Sequence, residues 1–216
     1  ASFAAGCFTS SEGLEPPLAT FYFPTGLVVS PGNTALYVAN SDFDLQYSGG
    51  TVQALDLAAL RARAEATATE VGAAMASGSD LGAACSAALG VGKNDQTLLY
   101  PGPCASLDAA SFVRASASIG AFASGATLLL RDDGPGGRLY VPVRGDPSVT
   151  YFDITDDRDP AAPVSPCADP LFCLDCGAAS PEERCGADHR VGENPYANIR
   201  NLVLPPEPVG IAATQR

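Results

Sequence analysis

The chain has 216 residues, 46% hydrophobic and 17% charged, with 22 Gly, 18 Pro and one Met, so any core is built from small residues that favour strands and turns over a helix bundle. A net charge of -12 argues against nucleic acid as a partner, because phosphate binding needs clustered Lys and Arg. No apolar run approaches the roughly 20 residues that cross a bilayer, and seven Cys beside a single His point to an oxidising compartment.

The chain opens A-S-F-A-A-G-C, and Cys7 is left over if the other six cysteines pair. Small residues ahead of an isolated Cys, A-A-G-C at 4–7, resemble a bacterial lipoprotein processing box, in which that Cys is lipidated and becomes the N-terminus. The resemblance implies a lipid anchor on Cys7 and an apolar signal segment upstream of Ala1, with the polar, Pro-bearing stretch Phe8–Ala19 as a tether. Several acyl chains make such an anchor stable. An ordinary free or disulfide-bonded cysteine on a frayed terminus is the alternative.

Two segments then repeat one pattern. F-P-T-G-L-V-V-S-P-G-N-T-A-L-Y-V-A-N at 23–40 aligns with F-A-S-G-A-T-L-L-L-R-D-D-G-P-G-G-R-L-Y-V-P-V at 122–143. Both give F-x-(T/S)-G, an apolar strand, a Gly-rich turn and L-Y-V. The match resumes after a loop, T-V-Q-A-L-D-L at 51–57 against S-V-T-Y-F-D-I at 148–154, and a third copy begins at P-E-P-V-G-I-A-A-T, 206–214. The unit resembles the YVTN-type blade of a β-propeller, with Y-V-A-N at 37–40 close to the signature tetrapeptide. That resemblance implies a mainly β fold of small antiparallel sheets stacked face to face, with apolar residues on both faces of each strand and glycines where strands crowd a central channel.

The spacing of Gly26, Gly125 and Gly210 is about twice the roughly 40 to 50 residues of an ordinary blade, so each unit carries an insertion. The expected organisation is a lipobox remnant and tether at 1–20, repeat 1 at 21–117 with an insertion at 58–117, repeat 2 at 118–203 with a Cys-rich insertion at 155–203, and the start of repeat 3 at 204–216. In the first insertion Ala, Leu, Arg and Glu predict a helix over Leu57–Ala76 stopped at Gly78. Cys85 and Cys104 bracket a Gly/Asn/Pro-rich excursion and are expected to pair. Two repeats and a fragment fall short of the roughly four blades a propeller needs. The remaining blades are expected from a continuation of the polypeptide or from another chain.

Candidate sites are few. Cys167, Cys173, Cys176, Cys185 and His189 form the pattern C-x5-C-x2-C-x8-C-x3-H. Two disulfides, with three possible connectivities, are expected in an oxidising compartment; the alternative is a tetrahedral zinc on Cys173, Cys176, Cys185 and His189. Asn40, Asp42 and Asp44 alternate as oxygen ligands do in calcium loops, but the Gly and Glu of such loops are absent, and a solvated loop is the simpler reading. Asp156, Asp157 and Asp159 could bind a cation, although such residues more often cap turns. Arg144-Gly145-Asp146 reads as a turn rather than an adhesion motif. Gly90–Asp95 lacks the third Gly of a dinucleotide loop.

No hydrolase or phosphate-loop signature is present. The expectation is therefore a non-catalytic, lipid-anchored propeller of the bacterial cell envelope, periplasmic or surface-exposed at the outer membrane, that binds protein or glycan and needs no cofactor, with Ca2+ a candidate ion at the acidic loops. Its rival is a metal-dependent periplasmic propeller enzyme, lactonase-like or quinoprotein-like, with a site in the central channel.

Overall fold

The computed structural model describes residues 13–89, 104, 107–132, 135–159, 161, 167–192 and 208–214. The chain divides into two compact units: a β unit up to Asp56 and from Val113 onward, and an inserted helical unit, Leu57–Phe112.

The β unit contains two four-stranded antiparallel sheets, each a meander in chain order. Sheet 1 is β1 (Pro24–Val29), β2 (Ala35–Asn40), β3 (Gly50–Asp56) and β4 (Val113–Ile119). Sheet 2 is β5 (Thr127–Leu130), β6 (Gly137–Val143), β7 (Ser148–Ile154) and β8 (Arg190–Val191). The repeated segments therefore fold alike, and both insertions enter between the third and fourth strands. The first insertion is shorter than expected. Residues 113–117, assigned above to the insertion, pair along β3 as β4 (Ser116 opposite Gln53, Ala117 opposite Val52). The run R-A-S-A-S alternates, but Ala against Ser gives too little hydropathy contrast to announce a strand.

The sheets share one core in which small side chains meet large ones. Sheet 1 offers Ala35, Tyr37, Ala39, Val52, Ala54 and Ala117; sheet 2 offers Leu139, Val141, Val143, Phe152 and Ile154. The faces that meet are not equivalent. In the repeat alignment Leu139, Val141 and Phe152 correspond to Leu36, Val38 and Leu55, whereas Tyr37 and Ala54 correspond to Tyr140 and Tyr151. The trailing face of the first sheet thus packs on the leading face of the second, a head-to-tail stacking. A two-fold sandwich would instead bring equivalent faces together.

The junction has a repeated internal geometry. Phe23 and Phe122, equivalent by sequence, both adopt left-handed backbone (φ 46° and 60°). Their carbonyls accept equivalent N–H groups, Ser41 to Phe23 at 3.0 Å and Arg144 to Phe122 at 3.1 Å. Thr25 Oγ1 donates to the Ala123 carbonyl, two residues before Gly125, at 2.9 Å. Ser124 Oγ donates to the Pro208 carbonyl, two residues before Gly210, at 3.0 Å. One hydroxyl-to-carbonyl bond therefore links repeat 1 to repeat 2 across 98 residues, and a like bond links repeat 2 to the 208–214 segment across 84. At Gly26 a Cβ would lie 2.7 Å from the carbonyl carbon of Gly125, so only glycine allows the inner strands this close.

Two further segments close the β unit. The second half of the expected tether packs on sheet 1: the Leu18 carbonyl accepts from Gln53 Nε2 at 3.0 Å and from the Ser116 hydroxyl, and Leu14 O accepts from Ser48 N at 2.9 Å. The Cys-rich insertion spans the outer strands of both sheets. Asp175 exchanges backbone hydrogen bonds with Asp153 of β7, and Ser118 of β4 exchanges them with Pro181 and Cys185.

In the helical unit, α1 (Leu57–Ser77) follows the expected Leu57–Ala76 to within one residue and ends where Gly78 turns left-handed at φ 68°. Asp80 caps α2 (Leu81–Leu89), its Oδ1 accepting Gly82 N at 2.9 Å. The helices are tied by Arg63 Nη1 donating to Ala88 O at 2.9 Å, and a Cys85–Cys104 disulfide is present.

Candidate binding surface

Antiparallel pairing gathers one set of connections at one end of the β unit: the lead-in 20–23, the β2–β3 loop 41–49, the sheet-to-sheet link 120–126 and the β6–β7 turn 144–147. Fixed backbone underlies this end. Phe122 N donates to Ser41 O at 2.6 Å and Gly145 N to Ala121 O at 3.0 Å. Asn40 bridges Tyr22 N at 3.3 Å and Thr51 Oγ1 at 3.1 Å. The Tyr22 hydroxyl reaches Thr51 Oγ1 at 3.2 Å, and burial pushes its pKa well above the usual tyrosine value.

On this frame the 41–49 loop raises Phe43, 59% exposed, and Leu45, 63% exposed. Phe43 meets Phe122 edge to face at 5.7 Å, and Tyr22 lies 4.9 Å from Tyr47. The acidic residues of the same loop divide in role. Asp44 is exposed, its Oδ1 accepting Gln46 N at 3.3 Å. Asp42 is buried in left-handed backbone (φ 48°), with Oδ1 accepting Tyr47 N at 3.0 Å; burial raises its pKa. Asn40 is committed to Tyr22 and Thr51, so the three calcium-type positions do not converge.

Asp156 and Asp157 separate as well. Asp156 forms an exposed ion pair with Arg158 at 2.7 Å. Asp157 crosses to sheet 1 and fills the β1–β2 turn, accepting from Ser30 Oγ at 2.5 Å, Gly32 N at 2.6 Å and Thr34 N at 3.0 Å. Burial works to raise its pKa, and these donors outweigh it to hold the carboxyl below the ordinary value. It is an inter-sheet clamp, a role the sequence reading missed because nothing in D-D-R-D marks which carboxylate has distant partners.

In the Cys-rich insertion the bonds are Cys167–Cys173 and Cys176–Cys185. The thiolates that the zinc alternative requires are engaged in S–S bonds. The His189 ring stacks on Tyr151 at 4.4 Å, with Nδ1 3.0 Å from the Tyr151 carbonyl. Among the described residues no group of three or more His, Cys, Asp or Glu side chains is placed to hold a metal ion. Asp146 of the R-G-D turn is turned inward, paired with Arg184 and within 4.0 Å of Arg190. Cys7 and Gly90–Asp95 lie outside the described residues.

Three disulfides fit an oxidising, extracellular or periplasmic setting. Among the described residues no helix is long and apolar enough to cross a membrane. Comparison with family models, with curated proteins and with solved structures finds no match to this chain.

Proposed function

We propose that this chain forms part of a lipid-anchored β-propeller of the bacterial cell envelope, acting as a non-catalytic scaffold that binds a protein or glycan partner through the loop end bearing Phe43 and Leu45. The observation that carries the reading is the recurring inter-repeat bond, Thr25 to Ala123 and Ser124 to Pro208, which applies one stacking rule twice in succession. A stack that repeats head to tail and rotates slightly at each step is the geometry of a propeller. The envelope location draws on the disulfides and on A-A-G-C at 4–7, with Cys7 as the lipidated residue. The binding end draws on two exposed apolar side chains mounted on fixed backbone, as in interface anchors.

The test places a photo-crosslinking amino acid at Phe43 and, separately, at Asn33 in the β1–β2 turn of the opposite end, in cells that make the protein. Adducts from position 43 and none from position 33 support the reading. Adducts from position 33 alone, or a stoichiometric metal ion in purified protein, would overturn it, the latter in favour of the metal-dependent enzyme.

A further inference from the structure

The inward face of β7 changes character along its length. Alternation buries Ser148, Thr150, Phe152 and Ile154 on one side of the strand. Phe152 and Ile154 belong to the apolar core shared by the two sheets. Ser148 and Thr150 are 0% exposed, and among the described residues neither hydroxyl has a hydrogen-bond partner. A hydroxyl gives up its bonds to water when it is buried, and buried polar groups are paired almost without exception. Two such hydroxyls side by side on one face mark a place where something else binds.

A cation is brought to the same face. Thr150 pairs with Arg190 of β8, so their side chains leave the sheet on the same side. Arg190 Nη1 lies 4.0 Å from Asp146 Oδ2, and Asp146 stands two residues before Ser148. The guanidinium therefore runs from Thr150 along the Ser148 position. Asp146 is held by Arg184, which is fixed beside β4 by its bridge to Ser118. The remaining neighbours in the sheet are short and apolar, with Val143 opposite Ser148 and Val141 opposite Thr150. Gly192, two residues beyond Arg190 and on the Ser148 side of it, contributes no side chain. A solute enters past Arg184 and Arg190, whose side chains keep 29% and 19% of their surface exposed.

We infer that Ser148 Oγ, Thr150 Oγ1 and the Arg190 guanidinium bind a small monovalent anion, chloride in size, between the two sheets. Both hydroxyls can donate at once, and a guanidinium offers N–H donors only, so an acceptor with no protons of its own satisfies all three. The positive group in a wedge that excludes most water favours a charged acceptor. Complete burial of the two hydroxyls restricts the occupant to a small ion. The site lies within the described sheets, so it depends neither on what adjoins them nor on the loop-end partner. A failed crosslink at Phe43 would leave it standing.

The probe is bromide, which matches chloride in charge, is close to it in size and scatters anomalously. Gluconate is replaced stepwise by bromide at constant ionic strength in a solution of the full chain. The expected result is a saturable rise in the unfolding midpoint of about 3 °C or more, and an anomalous peak between Ser148 and Thr150 in crystals grown with bromide. Ser148→Ala with Thr150→Val, which nearly preserves side-chain volume, is expected to need at least about tenfold more bromide for the same rise, whereas Thr150→Ser keeps the response. A rise that the double variant shares in full would be a general salt effect and would overturn the inference. So would a wild-type chain indifferent to bromide, or crystals whose hydroxyls meet ordered water with no anomalous signal, an outcome read on the wild-type chain whether or not the variants fold.

Discussion

Tyr37 and Tyr140 hold the same place in L-Y-V of β2 and β6, yet Tyr37 is 1% exposed and Tyr140 is only half-buried. Val29 and Leu128 show the reverse, bare in the first sheet and packed in the second. One pattern thus yields opposite burial, and the difference follows from which side a neighbouring sheet lies on. Binary patterning specifies a strand able to be covered on both faces. Which positions are covered depends on what packs there: sheet 2 lies on the Tyr37 face, and the lead-in at Leu18 covers Gln53 on the other while leaving Leu27 and Val29 exposed.

The largest effect expected to sharpen this contrast is Tyr37→Ala, a large-to-small change in the shared core costing about 3 to 5 kcal/mol, against at most about 1 kcal/mol for Tyr140→Ala. Chemical denaturation of both variants checks it, and equal losses would break the comparison. Next is Gly26→Ala, whose Cβ meets Gly125 backbone; about 1 to 3 kcal/mol is expected from forcing the inner strands apart.

Asp157→Asn should cost a similar or slightly smaller amount, about 1 to 3 kcal/mol at neutral pH, by weakening bonds from Ser30, Gly32 and Thr34 to a charged acceptor. Its pH dependence carries a sign. The folded pKa is depressed, so the stabilisation is complete above the unfolded value of about 3.9 and is lost as pH falls through the folded one. The Asn variant should therefore have a flatter acid limb than wild type, read from unfolding midpoints across that window. The smallest pair is Thr25→Val and Ser124→Ala, each about 0.5 to 1.5 kcal/mol. Unequal costs would show that the two hydroxyl bonds are not equivalent.

Much of this was legible in the sequence where a residue type has a single local meaning. F-x-(T/S)-G located the equivalent turns, Ala-rich composition located α1, and Gly78 located its end. The cluster pairing was not legible, since sequence spacing alone does not tell Cys173 whether its neighbour in space is Cys167 or Cys176. Asp157 and the lead-in at 14–20 were misread for a related reason. Their partners, Ser30 to Thr34 and Gln53 with Ser116, lie far away in the chain, and a polar residue looks solvated until its distant donor is known. The end proposed for binding was visible only as N-S-D-F-D-L, whose carboxylates drew attention away from Phe43.

The placement of both insertions after the third strand has a consequence for the order of folding. β1 to β3 are joined by the local connections 30–34 and 41–49 and can zip as a hairpin pair, whereas β4 must wait for the whole helical unit to close as one long loop. Closure entropy grows only logarithmically with loop length, so the final sheet loses little stability. The long-range pairing is slow, however, and the outer edge of β3 stays unpaired until β4 arrives. Sheet 1 should thus pass through a three-stranded state whose last bonds to become protected against hydrogen exchange are those between Gly50–Asp56 and Val113–Ile119.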